Sequence, residues 1–189
     1  MPPRVKFSRE EMIAAALDIV RRGGMAALTA RSLAAELGSS AKPVFGLFEN
    51  MQEVQDEVVR AANAEYQSFL RAEMMRGAYP PYKASGMAYI AFARQEKELF
   101  KLLFMRDRTE EDLETEDESI DGIIALISRN TGLSNEDARL FHLEMWIFVH
   151  GIATMIVTGY LDWEEEYVSR TLTDVYEGLK ARWCGGNGK

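Results

Sequence analysis

The run Leu28-Thr29-Ala30-Arg31-Ser32-Leu33-Ala34-Ala35-Glu36-Leu37-Gly38-Ser39-Ser40-Ala41-Lys42-Pro43-Val44-Phe45-Gly46-Leu47-Phe48 decides the fold. Thr29 is placed to cap a short helix whose buried face is Leu33, Ala34 and Leu37. Gly38 stops that helix. Ser40 is placed to cap a third helix running to about Leu47, with Pro43 in its first turn, where a missing N–H does no harm. Two short helices around a tight turn form a helix-turn-helix. Its second helix must show short polar side chains and free amides to a major groove while its other face anchors in a core. Ser39, Ser40 and Lys42 suit the first demand, and Val44, Phe45 and Phe48 suit the second.

Outward from this run, the helix signals continue. Ser8-Arg9-Glu10-Glu11 is a capping box, followed by an apolar stripe at Met12, Ile13, Ala16, Leu17 and Val20 that Gly23-Gly24 closes. Asn50-x-x-Glu53 starts a long fourth helix ending near Gly77, about 40 Å at 1.5 Å per residue. A helix of that length can transmit a tilt or serve as a plain spacer. Pro80-Pro81 is the clearest break. Helices are then expected at about 82–95, 97–106, 110–130, 135–160 and 164–183, punctuated by Thr109, Thr131-Gly132, Ser134 and Asp162. The acidic stretch Glu110 to Glu118 reads as a solvated helix start or a mobile loop. Strand patterns are nearly absent. The expectation is an all-α fold of about nine helices. A helix-turn-helix domain occupies 1–50, a larger helical domain 51–184, and a tail expected to be disordered 185–189.

The apolar share of 47% in 189 residues is enough for a core. The net charge of −8 argues against nucleic acid only when summed. Residues 1–50 hold seven Lys/Arg against five acids, a net of +2, which leaves −10 on the rest. A basic head on an acidic body is the asymmetry expected when only the head meets phosphate. Arg4 and Lys6 form a basic arm at its start. The single cysteine, Cys184, cannot form an internal disulfide and points to a reducing compartment. No apolar leader is seen. The longest apolar stretch, Met145 to Tyr160, is interrupted by His150, Gly151, Thr154 and Thr158, short of the roughly 18 residues a membrane helix needs. A cytoplasmic chain without a membrane partner is expected.

Ile13-x-Ala15-Ala16-Leu17, Gly24, Leu28-Thr29-x-Arg31-Ser32-Leu33-Ala34-x-x-Leu37-Gly38, Phe45-x-x-Phe48 and Val54 together resemble the tetracycline-repressor (TetR) family over about residues 7–58. The family's pattern is Thr-Val-Arg-x-Ile-Ala, then Ala-Gly-Val-Ser, Leu-Tyr-x-x-Phe and Lys-x-x-Leu. This chain departs from it in carrying Phe45 for the tyrosine and Met51 for the lysine, and it has Gly46 inside the recognition helix. The first two changes remove groups that reach phosphates, which should weaken affinity and flatten its salt dependence. Trp146-x-x-x-His150-Gly151 is similar to an element of the family's dimer-forming helix.

The resemblance implies a DNA-binding regulator without enzymatic activity or cofactor, binding double-stranded DNA as a homodimer and a small-molecule effector in its body. Candidate DNA contacts are Thr29, Arg31, Ser39, Ser40, Lys42, Pro43 and Phe45. Candidate ligand contacts are Phe92, Phe100, Phe104, Met105, Phe141, Met145 and Trp146, adaptable apolar side chains suited to an apolar or aromatic molecule. Candidate interface residues are Trp146, His150, Gly151, Met155, Tyr160, Leu172 and Tyr176, with Gly151, Ala153 and Gly159 permitting close helix approach. His142, Glu144 and His150 lack the four-residue spacing of a zinc helix, so no metal is expected. No nucleophile array or phosphate loop is present to support catalysis.

Overall fold

Ser8 opens the first helix of the structure, a computed structural model that describes residues 7–106, 117–161 and 163–185. Its hydroxyl accepts from the Glu11 amide at 3.1 Å, and the Glu11 carboxylate accepts from the Ser8 amide at 2.7 Å. This is the capping box expected, and it begins α1, Arg9–Gly23. Thr29 caps α2, Ala30–Glu36, in the same reciprocal way with Ser32. Gly38 ends α2 at φ +59°, where only glycine sits without strain. The Ser39 amide donates to Ala34 O and the Gly38 amide to Ala35 O, the paired bonds that close a helix around a left-handed residue.

The helices that follow are α3 (Met51–Arg76), α4 (Pro81–Gln95), α5 (Lys97–Phe104), α6 (Asp117–Thr131), α7 (Asn135–Val157) and α8 (Glu165–Gly185). Asn50 Oδ1 accepts from the Glu53 amide at 3.0 Å, giving α3 its cap. Pro81 takes the first position of α4. Ser134 caps α7 by accepting from the Asp137 amide at 3.1 Å. The fold is all-helical, with eight α-helices and no strand among the described residues. Thr109, Asp162, most of the acidic stretch, the Arg4–Lys6 arm and residues 186–189 lie outside the described residues.

Two expectations are corrected. The helix expected over 135–160 stops at Val157. Gly159 stands at φ +70°, with the Tyr160 amide donating to Met155 O and its own amide to Ile156 O. It terminates the helix. In addition, α7 is long and apolar enough to cross a membrane by length and composition, at a mean hydropathy of 1.6. That value belongs to an 18-residue window, which tolerates the polar residues that interrupt the apolar run.

The chain forms two compact units. The first takes the chain up to Ser68 together with Gln95–Arg106; the second takes Phe69–Arg94 and the chain beyond Arg106. The core of the first is built from Met12, Ala16, Val20, Leu33, Val44, Val54, Val58, Ala62 and Leu99, all fully buried. In the second, Ile124, Ile127, Ala138, Phe141 and Met145 form a cluster, with Tyr82, Val175, Tyr176, Leu179 and Trp183 packed against it.

Candidate nucleic-acid interface

The turn after α2 is followed by a 3₁₀ turn, Val44–Gly46, where an α-helix over Ser40–Leu47 was expected. The amides of Val44, Gly46 and Leu47 donate three residues back, and only Phe48 donates four back, to Val44 O at 3.0 Å. The physical reason lies in three residues. Pro43 has no amide to donate, Gly46 costs about 1 kcal/mol of helicity relative to alanine, and the cap position, taken by Pro43 and not Ser40, has no side-chain capping bond. So short a segment cannot recover the cost of starting a helix.

The segment is nonetheless fixed. Val44 and Phe48 are buried in the unit's core. Arg9 holds it from α1: Nη1 donates to Leu47 O at 2.9 Å, and Nη2 donates to Glu53 at 2.7 Å and Glu57 at 2.8 Å. The guanidinium also lies 4.3 Å from the centre of the Phe48 ring. Its bonds to Glu57 and Glu53 raise the Arg9 pKa above the ordinary arginine value. Glu53 is held below the usual carboxylate range by the Glu49 amide and then by Arg9, and Glu57 by Arg9 and then Arg60. No local signal in the sequence marks Arg9, because its partners stand 38 to 48 residues away.

The outward side carries most of the expected contacts. Thr29, Arg31, Ser40 and Lys42 are exposed, and Ser39 and Pro43 are half-buried. Phe45 was expected to anchor in the core as well as to meet DNA, but it is 51% exposed. Val44 and Phe48 already fill the inner side, so the ring of Phe45 points to solvent. The head's charges are sorted as well. Arg9 pairs with Glu53 and Glu57, Arg21 with Asp18 and Glu96, and Arg22 with Glu36. Arg31 and Lys42 make no ion pair among the described residues and flank the turn as open cations.

The ligand candidates divide between the units. Phe100, Phe104 and Met105 belong to the first, where Phe104 packs against Phe100 and edge-on against Tyr66. Met105 is exposed. Phe92, Phe141, Met145 and Trp146 belong to the second. There Phe141 and Met145 enter the α6–α7 cluster, Phe92 packs edge-on against Phe69, and Trp146 is exposed.

The interface candidates also separate. Trp146, Met155 and Tyr160 are exposed, while His150 and Gly151 are half-buried. Leu172 is buried inside the second unit, and Tyr176 is half-buried with its ring edge-on to Phe141 at 5.4 Å. Leu140, Leu143 and Ile147, not among the sequence candidates, are also exposed on α7, at 47%, 50% and 59%. They lie on the side of that helix opposite Ala138, Phe141, Met145 and Val149. The two histidines of α7 pair with tyrosines of α4, Tyr82 with His142 at 3.0 Å and Tyr89 with His150 at 2.8 Å. Burial lowers the pKa of both histidines. Trp146 stacks on His150 at 4.9 Å. No metal-binding group of three or more ligands occurs among the described residues.

Comparison with known proteins gives the fold its relatives. No curated protein matches the chain. A TetR-like transcriptional regulator from Rhodococcus sp. RHA1 superposes with a TM-score of 0.64 at 16% identity, covering 97% of this chain and 100% of its own. A TetR-family member from Streptomyces coelicolor A3 gives 0.60 at 19%, covering 88% and 96%. The multidrug binding protein EbrR, solved with imidazole, gives 0.58 at 19%, covering 88% and 93%. The model of the tetracyclin repressor-like C-terminal domain matches residues 82–176, half of the chain, so the protein belongs to the TetR-like family that its N-terminal motif resembles.

Proposed function

We propose that the chain is a DNA-binding transcriptional regulator, acting as a repressor released from a palindromic operator by a small apolar or aromatic ligand. The observation that carries this reading is the charge sorting around the turn. Arg9, Arg21 and Arg22 are neutralised by carboxylates, while Arg31 and Lys42 remain open beside Thr29, Ser39, Ser40 and Phe45. Two unpaired cations on an exposed turn beside cations that are already neutralised form the part of the head best suited to phosphate. The acidic remainder of the chain repels DNA and keeps contact on the head.

The exposed stripe of Leu140, Leu143 and Ile147, flanked by Trp146 and Met155, supports a homodimer built on α7. An apolar face of that kind on a soluble monomer is costly until a partner covers it. Two-fold symmetry then offers two turns to successive major grooves, about 34 Å or more apart. Ligand binding in the helical body favours a conformer whose two turns no longer match the groove spacing. Coupling follows from the different affinities of the two conformers for ligand and DNA. The chemistry calls for no enzyme and no cofactor. The cytoplasm is the compartment in which such a chain meets DNA.

A second reading, a helical sensor or interaction protein with weak or lost DNA binding, draws on the 3₁₀ geometry of Val44–Gly46. Binding to sequences selected from random duplex DNA, measured at two salt concentrations, separates the readings. Selective binding that weakens steeply with salt supports the regulator, and its absence supports the sensor.

A further inference from the structure

We infer that Phe45 is a specificity-determining residue that reads the C5-methyl group of a thymine in each half-site. This inference rests on the DNA-binding reading. Between residues 7 and 68, Phe45 is the one large apolar side chain that the described structure leaves exposed, at 51%. It is held there from both sides, since Val44 and Phe48 are anchored in the core at 0% and 3% exposure. The Arg9 guanidinium further ties down Leu47, two residues on. The next residue, Gly46, is exposed and has open space around its Cα, so no side chain there stands between the segment and a duplex. Arg31 and Lys42, in the same unit, are exposed and make no ion pair among the described residues, so they are available to backbone phosphates.

A phenyl ring has no donor or acceptor, so it cannot read the hydrogen-bonding edge of a base. In the major groove it can recognise the apolar feature that thymine alone carries, the C5-methyl group. Arg31 and Lys42 then fix register on the duplex, and Phe45 supplies sequence information. A tyrosine at this position would place a hydroxyl at the tip of the ring. Its absence here turns the residue toward an apolar contact.

The test uses the full-length protein and a duplex selected from random DNA, with each thymine replaced in turn by deoxyuridine, which removes only the methyl group. The expected result is a loss of about fourfold at one position in each half-site, and about 15-fold when both are replaced. In Phe45→Ala, whose exposed position spares the fold, that discrimination disappears while salt-dependent binding persists. Overturning results are equal binding at every deoxyuridine position by a wild type that remains selective, or discrimination that survives in Phe45→Ala. Either leaves the DNA-binding reading intact. Absence of any selective binding by the wild type overturns both.

Discussion

Gly38 and Gly46 form a matched pair that isolates backbone conformation from every other effect. Both are exposed, and neither has an atom within 4 Å of a Cβ placed on it. They differ in φ: Gly38 stands at +59°, and Gly46 is not among the residues with positive φ. A methyl group at Gly38 therefore meets only its own backbone, at a cost of about 1–2 kcal/mol. Reduced freedom of the unfolded chain returns about 0.4–1 kcal/mol of that. At Gly46 only the second effect operates. Gly38→Ala should lower stability by about 0.5–1 kcal/mol, and Gly46→Ala should raise it by about 0.4–1 kcal/mol. The gap between the variants corresponds to roughly 2–8 °C in Tm for a chain of this size. Thermal unfolding followed by circular dichroism measures it. A Tm in Gly46→Ala at or below that of Gly38→Ala refutes the reasoning. The pair also bears on function. If the bound segment is an α-helix, Gly46→Ala should tighten operator binding by about twofold to fivefold, because alanine favours that conformation.

Phe141 is fully buried and edge-on to Tyr176, so Phe141→Ala should cost about 3–5 kcal/mol in urea unfolding. A cost below about 2 kcal/mol would mean that its surroundings collapse or are already hollow. Arg9→Gln removes a partner of Glu53 and Glu57, whose pKa values are lowered by the Glu49 amide and Arg9 and by Arg9 and Arg60 respectively. Depressed carboxylate pKa values stabilise the fold above the ordinary value of 4.5, and that stability is lost as pH falls through the lowered folded values. The Tm gap between wild type and Arg9→Gln should therefore be largest near neutrality and shrink below about pH 4, and a gap independent of pH contradicts the assignment. Ile147→Glu places a charge in the exposed stripe of α7 and should convert a dimer to a monomer with unchanged helicity. Light scattering that still reports a dimer would move the interface elsewhere.

Local signals made much of this fold legible, because each needs only a few adjacent residues. Ser8 with Glu11, Thr29, Asn50 and Ser134 mark helix starts whose bonds the structure contains. Gly38 marks a stop for the same reason. The third helix failed because apolar spacing alone says nothing of cooperativity: Val44 and Phe48 sit four apart on one face, yet too few residues surround them to sustain α-helical bonding. The end of α7 was read a few residues late because a glycine near the end of an apolar run looks alike whether it continues a helix or terminates it.

The least legible feature was which face of α7 meets its own chain. That helix is apolar on both sides, so its sequence says that both need covering without saying by what. The structure gives Ala138, Phe141, Met145, Val149, Ile152 and Ile156 to the unit's core and leaves Leu140, Leu143 and Ile147 outside it. The ligand candidates mixed the two faces, placing the buried Phe141 with the exposed Trp146. A single helix's periodicity fixes only the angle between side chains, and their partners are fixed by contacts tens of residues away, such as Tyr82 with His142. The outward placement of Arg31 and Lys42 was legible for the converse reason: nearby residues, Leu33, Val44 and Phe48, take the inward positions first, and they leave outside the core the ring of Phe45 that was expected within it.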